Sequence, residues 1–165
     1  MLLGSLNYLL ALLNFKYSLN LLFRMKEKII SKLKQLIGKE DIILTRRGNS
    51  AIYSALLAAK KLNKTKIIIP DQGAWLTYPQ YAEKLKFDII KLETDLGLIE
   101  LDELEKILQN NKEDSVLIIN AFAGYAIAQP VDEIYKLCKK YNCFFINDIT
   151  ACINYKEFCK GDILI

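Results

Sequence analysis

From Lys39 onward, short apolar segments alternate with longer segments in which apolar residues recur every three or four positions. The short segments predict β-strands, and the longer ones predict amphipathic helices. The predicted strands comprise residues 42–45, 66–69, 87–92, 115–120 and 143–147. The predicted helices comprise residues 50–62, 75–85, 101–108 and 131–141. Repeated strand–helix–strand units predict an α/β fold of three layers, with helices on both faces of a mainly parallel sheet.

The carboxyl ends of the predicted strands direct the search for function, because ligands of parallel α/β sheets bind there. We expect three strands to be parallel neighbours, namely 66–69, 115–120 and 143–147. The segments after the strand ends are residues 48–50, 70–75 and 120–124, together with Asp148. We therefore expect Asn49, Trp75 and Asp148 to converge at one edge of the sheet.

The segment from Arg47 to Ser50 precedes a helix rich in Ala and Leu. Gly48 allows a tight turn into this helix, and Asn49 or Ser50 can cap it. A helix start carries unpaired N–H groups and a partial positive charge, which suit a phosphate. An ordinary capped helix is the alternative interpretation, because the segment contains neither a dinucleotide fingerprint nor a P-loop.

Two further side chains lie near predicted strand ends. Trp75, the single tryptophan, follows strand 66–69, and Asp148 follows strand 143–147. Taken alone, such a tryptophan is typical of core packing and such an aspartate of a turn. Together with the helix start they offer an anion cradle, a flat aromatic surface and a carboxylate. Pyridoxal phosphate is the cofactor with a matching phosphate, ring and protonated ring nitrogen.

The chain contains no histidine, which excludes Ser-His-Asp triads, HExxH zinc sites and imidazole bases. Chemistry must therefore use carboxylates, Lys, Tyr, Cys or a cofactor. The four cysteines form no C-x-x-C pair, so we predict no metal site and reduced thiols in a cytoplasmic protein. Cys138 falls on the apolar face of a predicted helix, where a core role is expected.

Residues 2–23 are almost entirely apolar and, as one helix, would extend about 33 Å. Lys16 and three asparagines interrupt them, and these side chains are unfavourable in a bilayer. We therefore predict an apolar packing or dimerisation helix over residues 1–24, with a membrane helix or a start at Met25 as alternatives. The basic residues of segment 24–34 alternate with apolar ones, as on the solvated face of a helix, and do not indicate nucleic-acid binding.

Several short motifs follow in a fixed order after residue 25, at residues 47–51, 69–75, 87–99, 119–124, 130–134, 146–148 and 160–163. In this order residues 25–165 resemble fold-type-I pyridoxal-phosphate enzymes, and within them the DegT/StrS group of sugar aminotransferases. The resemblance implies that Asn49 and Ser50 bind the cofactor phosphate, that Trp75 stacks on the ring and that Asp148 pairs with the pyridine nitrogen. It also implies amino transfer from an amino donor to a keto-sugar or similar carbonyl acceptor.

The chain departs from the pattern of this family at several positions. Ala121 stands where many relatives carry a histidine, and Ala151 where many carry a glutamine. In the family the Schiff-base lysine comes shortly after the strand that follows a Gly-Asp pair, which is Gly161-Asp162 here. Lys160 precedes this pair and does not match that position, so no catalytic residue is assigned and a solvated surface role is expected for Lys160. We expect a truncated large domain that is inactive alone, with weak or absent binding of pyridoxal 5′-phosphate without the lysine, and that associates with itself or with a complementing C-terminal fragment. The alternatives are a non-catalytic remnant or partner-binding α/β domain and a different α/β cofactor protein.

Overall fold

The computed structural model of the protein describes residues 21–112, 114–124 and 126–165. The chain forms two compact units, divided between Ile43 and Leu44. In the first unit, residues 21–37 are helical (α1), and Gly38 follows with a φ of +66°. The apolar helix predicted over residues 1–24 lies outside the described residues, except for residues 21–24, which belong to α1. Within the described ranges, no helix combines the length and apolar character that crossing a membrane requires.

The second unit alternates strands and helices. Its helices are α2 (Gly48–Lys61), α3 (Thr77–Lys84), α4 (Leu101–Asn110) and α5 (Val131–Lys140). Five parallel strands form the main sheet, β1 (Lys66–Pro70), β2 (Asp88–Leu92), β5 (Ser115–Asn120), β8 (Phe144–Asp148) and β9 (Ile163–Leu164). Their order is β2-β1-β5-β8-β9. Two small antiparallel hairpins complete the unit, β3 (Thr94–Asp95) with β4 (Leu98–Ile99) and β6 (Phe122–Ala123) with β7 (Ile127–Ala128).

The core of this unit lies on both faces of the main sheet. Alternate strand residues point to opposite faces, so Ile67 and Ile69 pack into one cluster with the apolar residues of α2 and α3. Ile68 and Phe145 are fully buried outside that cluster, and α4 and α5 pack against each other. The central strands β1 and β5 are buried along almost their whole length, as expected when helices cover both faces of the sheet. The predicted three-layer α/β fold is therefore confirmed.

The predicted elements agree with the structure to within two residues, with one exception. The strand predicted over residues 42–45 is wrong, because this segment has no regular structure and pairs with no strand among the described residues. Ile43 is 87% exposed. β-branched residues favour a strand only where a neighbouring strand supplies hydrogen bonds and packing. The three strands expected to be parallel neighbours are adjacent as β1, β5 and β8.

Candidate functional site

A pocket of about 760 Å³ lies at the carboxyl ends of the central strands. Its walls come from the start of α2, the loop between β1 and α3, the end of β5 and the end of β8. The lining residues are Arg47, Gly48, Asn49, Ile52, Gly73, Ala74, Trp75, Leu76, Asn120, Phe122, Gly124, Asp148, Thr150, Ala151 and Ile165. Asn49, Trp75 and Asp148 thus share one pocket, whereas Ser50, in the first turn of α2, is not part of the lining.

Helix α2 presents its amino end to the pocket. The helix begins at Gly48 after an extended Arg47, and no side chain caps it, so the prediction that Asn49 or Ser50 is the capping residue is wrong. The N–H groups of Ser50 and Ala51 donate to the carbonyl of Arg47. The N–H groups of Gly48 and Asn49 have no hydrogen-bond acceptor among the described residues, as is usual at a helix start. This end therefore offers two backbone donors beside the Arg47 side chain.

The side chain of Asn49 contacts the loop before α3 instead of the backbone of its own helix. The indole Nε1 of Trp75 donates to Asn49 Oδ1 at 3.3 Å, and the Thr77 hydroxyl lies 3.5 Å from the same oxygen. Trp75 is 52% exposed, so core packing does not explain this tryptophan. The hydrogen bonds join the start of α2 to the β1–α3 loop and leave the indole accessible from the pocket.

Gly73 brings the same loop close to the end of β5. Its φ is +75°, and a Cβ at this position would lie 2.8 Å from the Cβ of Ala123. The Nδ2 group of Asn120 donates to the Gly73 carbonyl at 2.7 Å. Only glycine combines this backbone conformation with so close an approach.

Asp148 is the last residue of β8 and the register partner of Asn120 in β5. One carboxylate oxygen, Oδ1, accepts from the Thr150 N–H at 3.0 Å and from the Thr150 hydroxyl at 2.6 Å. The other, Oδ2, lies 2.9 Å from the Tyr78 hydroxyl. That hydroxyl also lies 2.5 Å from Asn120 Oδ1. The carboxylate is therefore held from both of its oxygens.

Tyr78 is the site residue that the sequence did not reveal. It lies within the helix predicted over residues 75–85, and its side chain is fully buried. Burial first, and then the charge of Asp148, raise the pKa of Tyr78 well above its usual value, so the hydroxyl keeps its proton and acts as a donor. The one sequence signal for this role was that Tyr78 carries a hydroxyl on the buried side of a helix that follows a strand end. No local pattern shows which strand ends it reaches.

Lys160 and the four cysteines are not among the residues that line the pocket. Lys160 is exposed, and its Nζ is 3.7 Å from Asp132, in agreement with the surface role predicted for it. Ala151 lines the pocket, whereas Ala121 is buried outside the lining. Within the described ranges, no group of three potential metal ligands is found. Cys138 is buried, as predicted.

The parallel α/β sheet has the fold of the large domain of fold-type-I pyridoxal-phosphate-dependent enzymes. The chain belongs to the aminotransferase class-V family, whose pattern it matches over residues 20–158.

Individual relatives differ in their activities. Cysteine desulfurase IscS of Dictyoglomus turgidum is 29% identical over 139 residues, which cover 78% of this chain and 34% of that protein. Pyridoxamine-pyruvate aminotransferase of Mesorhizobium loti has a similar fold, with a TM-score of 0.66 and 16% identity over 84% of this chain and 37% of that one. Sphingosine-1-phosphate lyase of Burkholderia pseudomallei gives the same TM-score and identity over 79% and 34% of the two chains. The chain thus spans about a third of the length of these relatives.

Proposed function

We propose that this chain forms the pyridoxal 5′-phosphate-binding part of an aminotransferase-type enzyme. The observation that carries the proposal is that a strand-end carboxylate, an exposed indole and a helix start line a single pocket. Its volume of about 760 Å³ lies within the range of roughly 300–1,000 Å³ that is usual for small-molecule sites.

The chemistry of these groups fits the cofactor. The N–H groups of Gly48 and Asn49 and the Arg47 guanidinium suit a phosphate, and the nearby Ser50 hydroxyl is proposed as a further phosphate contact. The exposed Trp75 indole suits an aromatic ring. The Asp148 carboxylate accepts three hydrogen bonds and has about four acceptor positions, so it can accept another from a ring N–H.

When bound, pyridoxal 5′-phosphate supplies an electron-withdrawing ring that stabilises negative charge on a carbon next to an amino group. Asp148 favours the protonated ring nitrogen through its opposite charge. Trp75 covers one face of the ring and orients it, and the start of α2 holds the phosphate. These residues bind and orient, but none of the pocket-lining residues is a lysine. We therefore propose that the covalent lysine lies outside this lining and that the 165-residue chain alone does not transfer amino groups.

The identity of the substrates is a more specific part of the proposal. The order of motifs that resembles sugar aminotransferases supports an amino donor and a keto-sugar or similar carbonyl acceptor. The cysteine desulfurase relative favours a second candidate, in which cysteine is the amino substrate. Both candidates need the same cofactor site. In either case we propose that a second copy of the chain or a complementing C-terminal segment completes the enzyme.

Titration of the full 165-residue chain with pyridoxal 5′-phosphate tests the cofactor site. Because Trp75 is the only tryptophan, quenching of its fluorescence reports ligand near the indole. We expect saturable quenching that Asp148→Asn weakens by about tenfold or more, since a charge-assisted hydrogen bond contributes roughly 1.5–3 kcal/mol. Asp132→Asn is the matched control, because Asp132 is an exposed carboxylate that does not line the pocket. Absence of saturable quenching, or equal weakening by both substitutions, would overturn the proposal.

The proposed position of the lysine has a separate test. Borohydride reduction of the chain with the cofactor, followed by peptide mass mapping, is expected to label no single lysine stoichiometrically. Assays with an amino donor and a carbonyl acceptor are expected to show no transfer. Stoichiometric labelling of one lysine would show that the chain carries its own covalent anchor.

A further inference from the structure

We propose that Tyr78 is a positioning residue that holds the Asp148 carboxylate in the orientation in which it meets the ring nitrogen of the cofactor. This inference rests on the cofactor site proposed above. It adds a residue that does not line the pocket and that acts on the cofactor only through Asp148.

The position of the hydroxyl follows from the fold. Asn120 and Asp148 end two neighbouring parallel strands and are partners in register, so their side chains leave the sheet on the same face. Tyr78 comes from the first turn of α3, which packs on that face. Its hydroxyl lies between the two side chains, 2.5 Å from Asn120 Oδ1 and 2.9 Å from Asp148 Oδ2.

The hydrogen-bond partners fix which atom donates. Asn120 Nδ2 donates to the Gly73 carbonyl, so the acceptor Oδ1 is the amide atom that faces Tyr78. Tyr78 has one proton for two acceptors, and an ionised Asp148 attracts that proton more strongly than a neutral amide does. The buried ring keeps the hydroxyl from turning towards water. An ionised Asp148 therefore draws the Tyr78 proton towards its own Oδ2.

Thr150 holds the other carboxylate oxygen, but its contribution differs from that of Tyr78. Thr150 is exposed, so water can replace its hydrogen bonds to Oδ1. The hydrogen bond from Tyr78 has a fully buried donor, which water reaches less readily than the exposed Thr150. Loss of the Tyr78 hydroxyl is thus expected to let the Asp148 carboxylate rotate out of its present orientation.

The experiment compares two probes in the full 165-residue chain. One is pyridoxal 5′-phosphate, and the other is its carbocyclic analogue, in which a C–H group replaces the ring nitrogen. We expect Tyr78→Phe to weaken binding of pyridoxal 5′-phosphate by about tenfold, the effect of one hydrogen bond to a charged group, and to leave binding of the analogue unchanged. Tyr81→Phe is the matched control, because Tyr81 lies one turn further along α3, half-buried, and its hydroxyl makes no hydrogen bond within the described ranges.

The outcomes separate this inference from the proposed function. If Asp148→Asn weakens binding of pyridoxal 5′-phosphate and Tyr78→Phe does not, the cofactor site stands and the role of Tyr78 is refuted. Equal weakening for both probes in Tyr78→Phe would show a merely structural role. If wild-type protein does not bind pyridoxal 5′-phosphate, both proposals fail.

A measurement on wild-type protein covers the case in which Tyr78→Phe does not fold. With ¹³C-labelled tyrosine, the Cζ resonance of Tyr78 is expected to shift when pyridoxal 5′-phosphate binds and to remain in place when the carbocyclic analogue binds. The same shift with both probes, or with neither, would overturn the positioning role.

Discussion

Substitution of Gly73 by alanine tests whether the close approach between the β1–α3 loop and the end of β5 shapes the pocket. Two separate penalties are expected. An alanine in a left-handed conformation, such as the +75° φ of Gly73, costs roughly 1–2 kcal/mol. The new Cβ would lie 2.8 Å from the Cβ of Ala123, and overpacking of this kind costs about 1–3 kcal/mol.

The free energy of unfolding is therefore expected to fall by about 2–5 kcal/mol in Gly73→Ala. Urea unfolding followed by far-UV circular dichroism measures this change independently of the nearby tryptophan. Gly48→Ala is the matched control, because Gly48 lies in α2 and a Cβ there would meet no atom within 4 Å. Its effect is expected to be neutral or stabilising, by up to about 1 kcal/mol.

A double-mutant cycle separates the two penalties. Ala123→Gly removes the atom that the new Cβ would meet but leaves the backbone conformation of residue 73 unchanged. Gly73→Ala combined with Ala123→Gly should therefore recover about 1–3 kcal/mol relative to the sum of the single changes. Additive effects within about 0.5 kcal/mol, or a Gly73→Ala protein as stable as wild type, would refute the reasoning.

Two further predictions concern other buried polar groups. In urea unfolding, Gln129→Ala should lower the free energy of unfolding by about 2–4 kcal/mol, because its buried side chain accepts from the Ile99 N–H and donates to the Gly97 carbonyl. The control Gln109→Ala removes an exposed hydrogen bond and should change the free energy of unfolding by less than about 1 kcal/mol. The raised pKa of Tyr78 means that its neutral form stabilises the fold below the unfolded pKa of about 10 and that this contribution is lost as pH rises. Above about pH 10, wild-type stability should therefore fall more steeply than that of Tyr78→Phe, by up to about 1.4 kcal/mol per pH unit, and equal slopes would contradict this account.

The place of the candidate site could be predicted from sequence, but its internal contacts could not. Trp75 and Asp148 were recognised because each lies near the end of an apolar strand, and parallel strands bring such ends to one edge. The capping role of Asn49 was predicted from its residue type alone. In the folded chain its oxygen is a hydrogen-bond acceptor for Trp75, a contact across 26 residues that competes with a local cap.

The α/β class, the helices and most strands follow from the order of residues alone, because a helix or strand with a buried face carries apolar residues at its own structural period. The irregular conformation of residues 42–45 depends on tertiary structure, because a strand needs a neighbouring strand that the local residues do not specify. Tertiary structure also placed the Tyr78 hydroxyl between Asn120 and Asp148, which lie 42 and 70 residues further along the chain. These contacts depend on the strand order β1-β5-β8, and strand order is set by packing of the whole sheet and its helices.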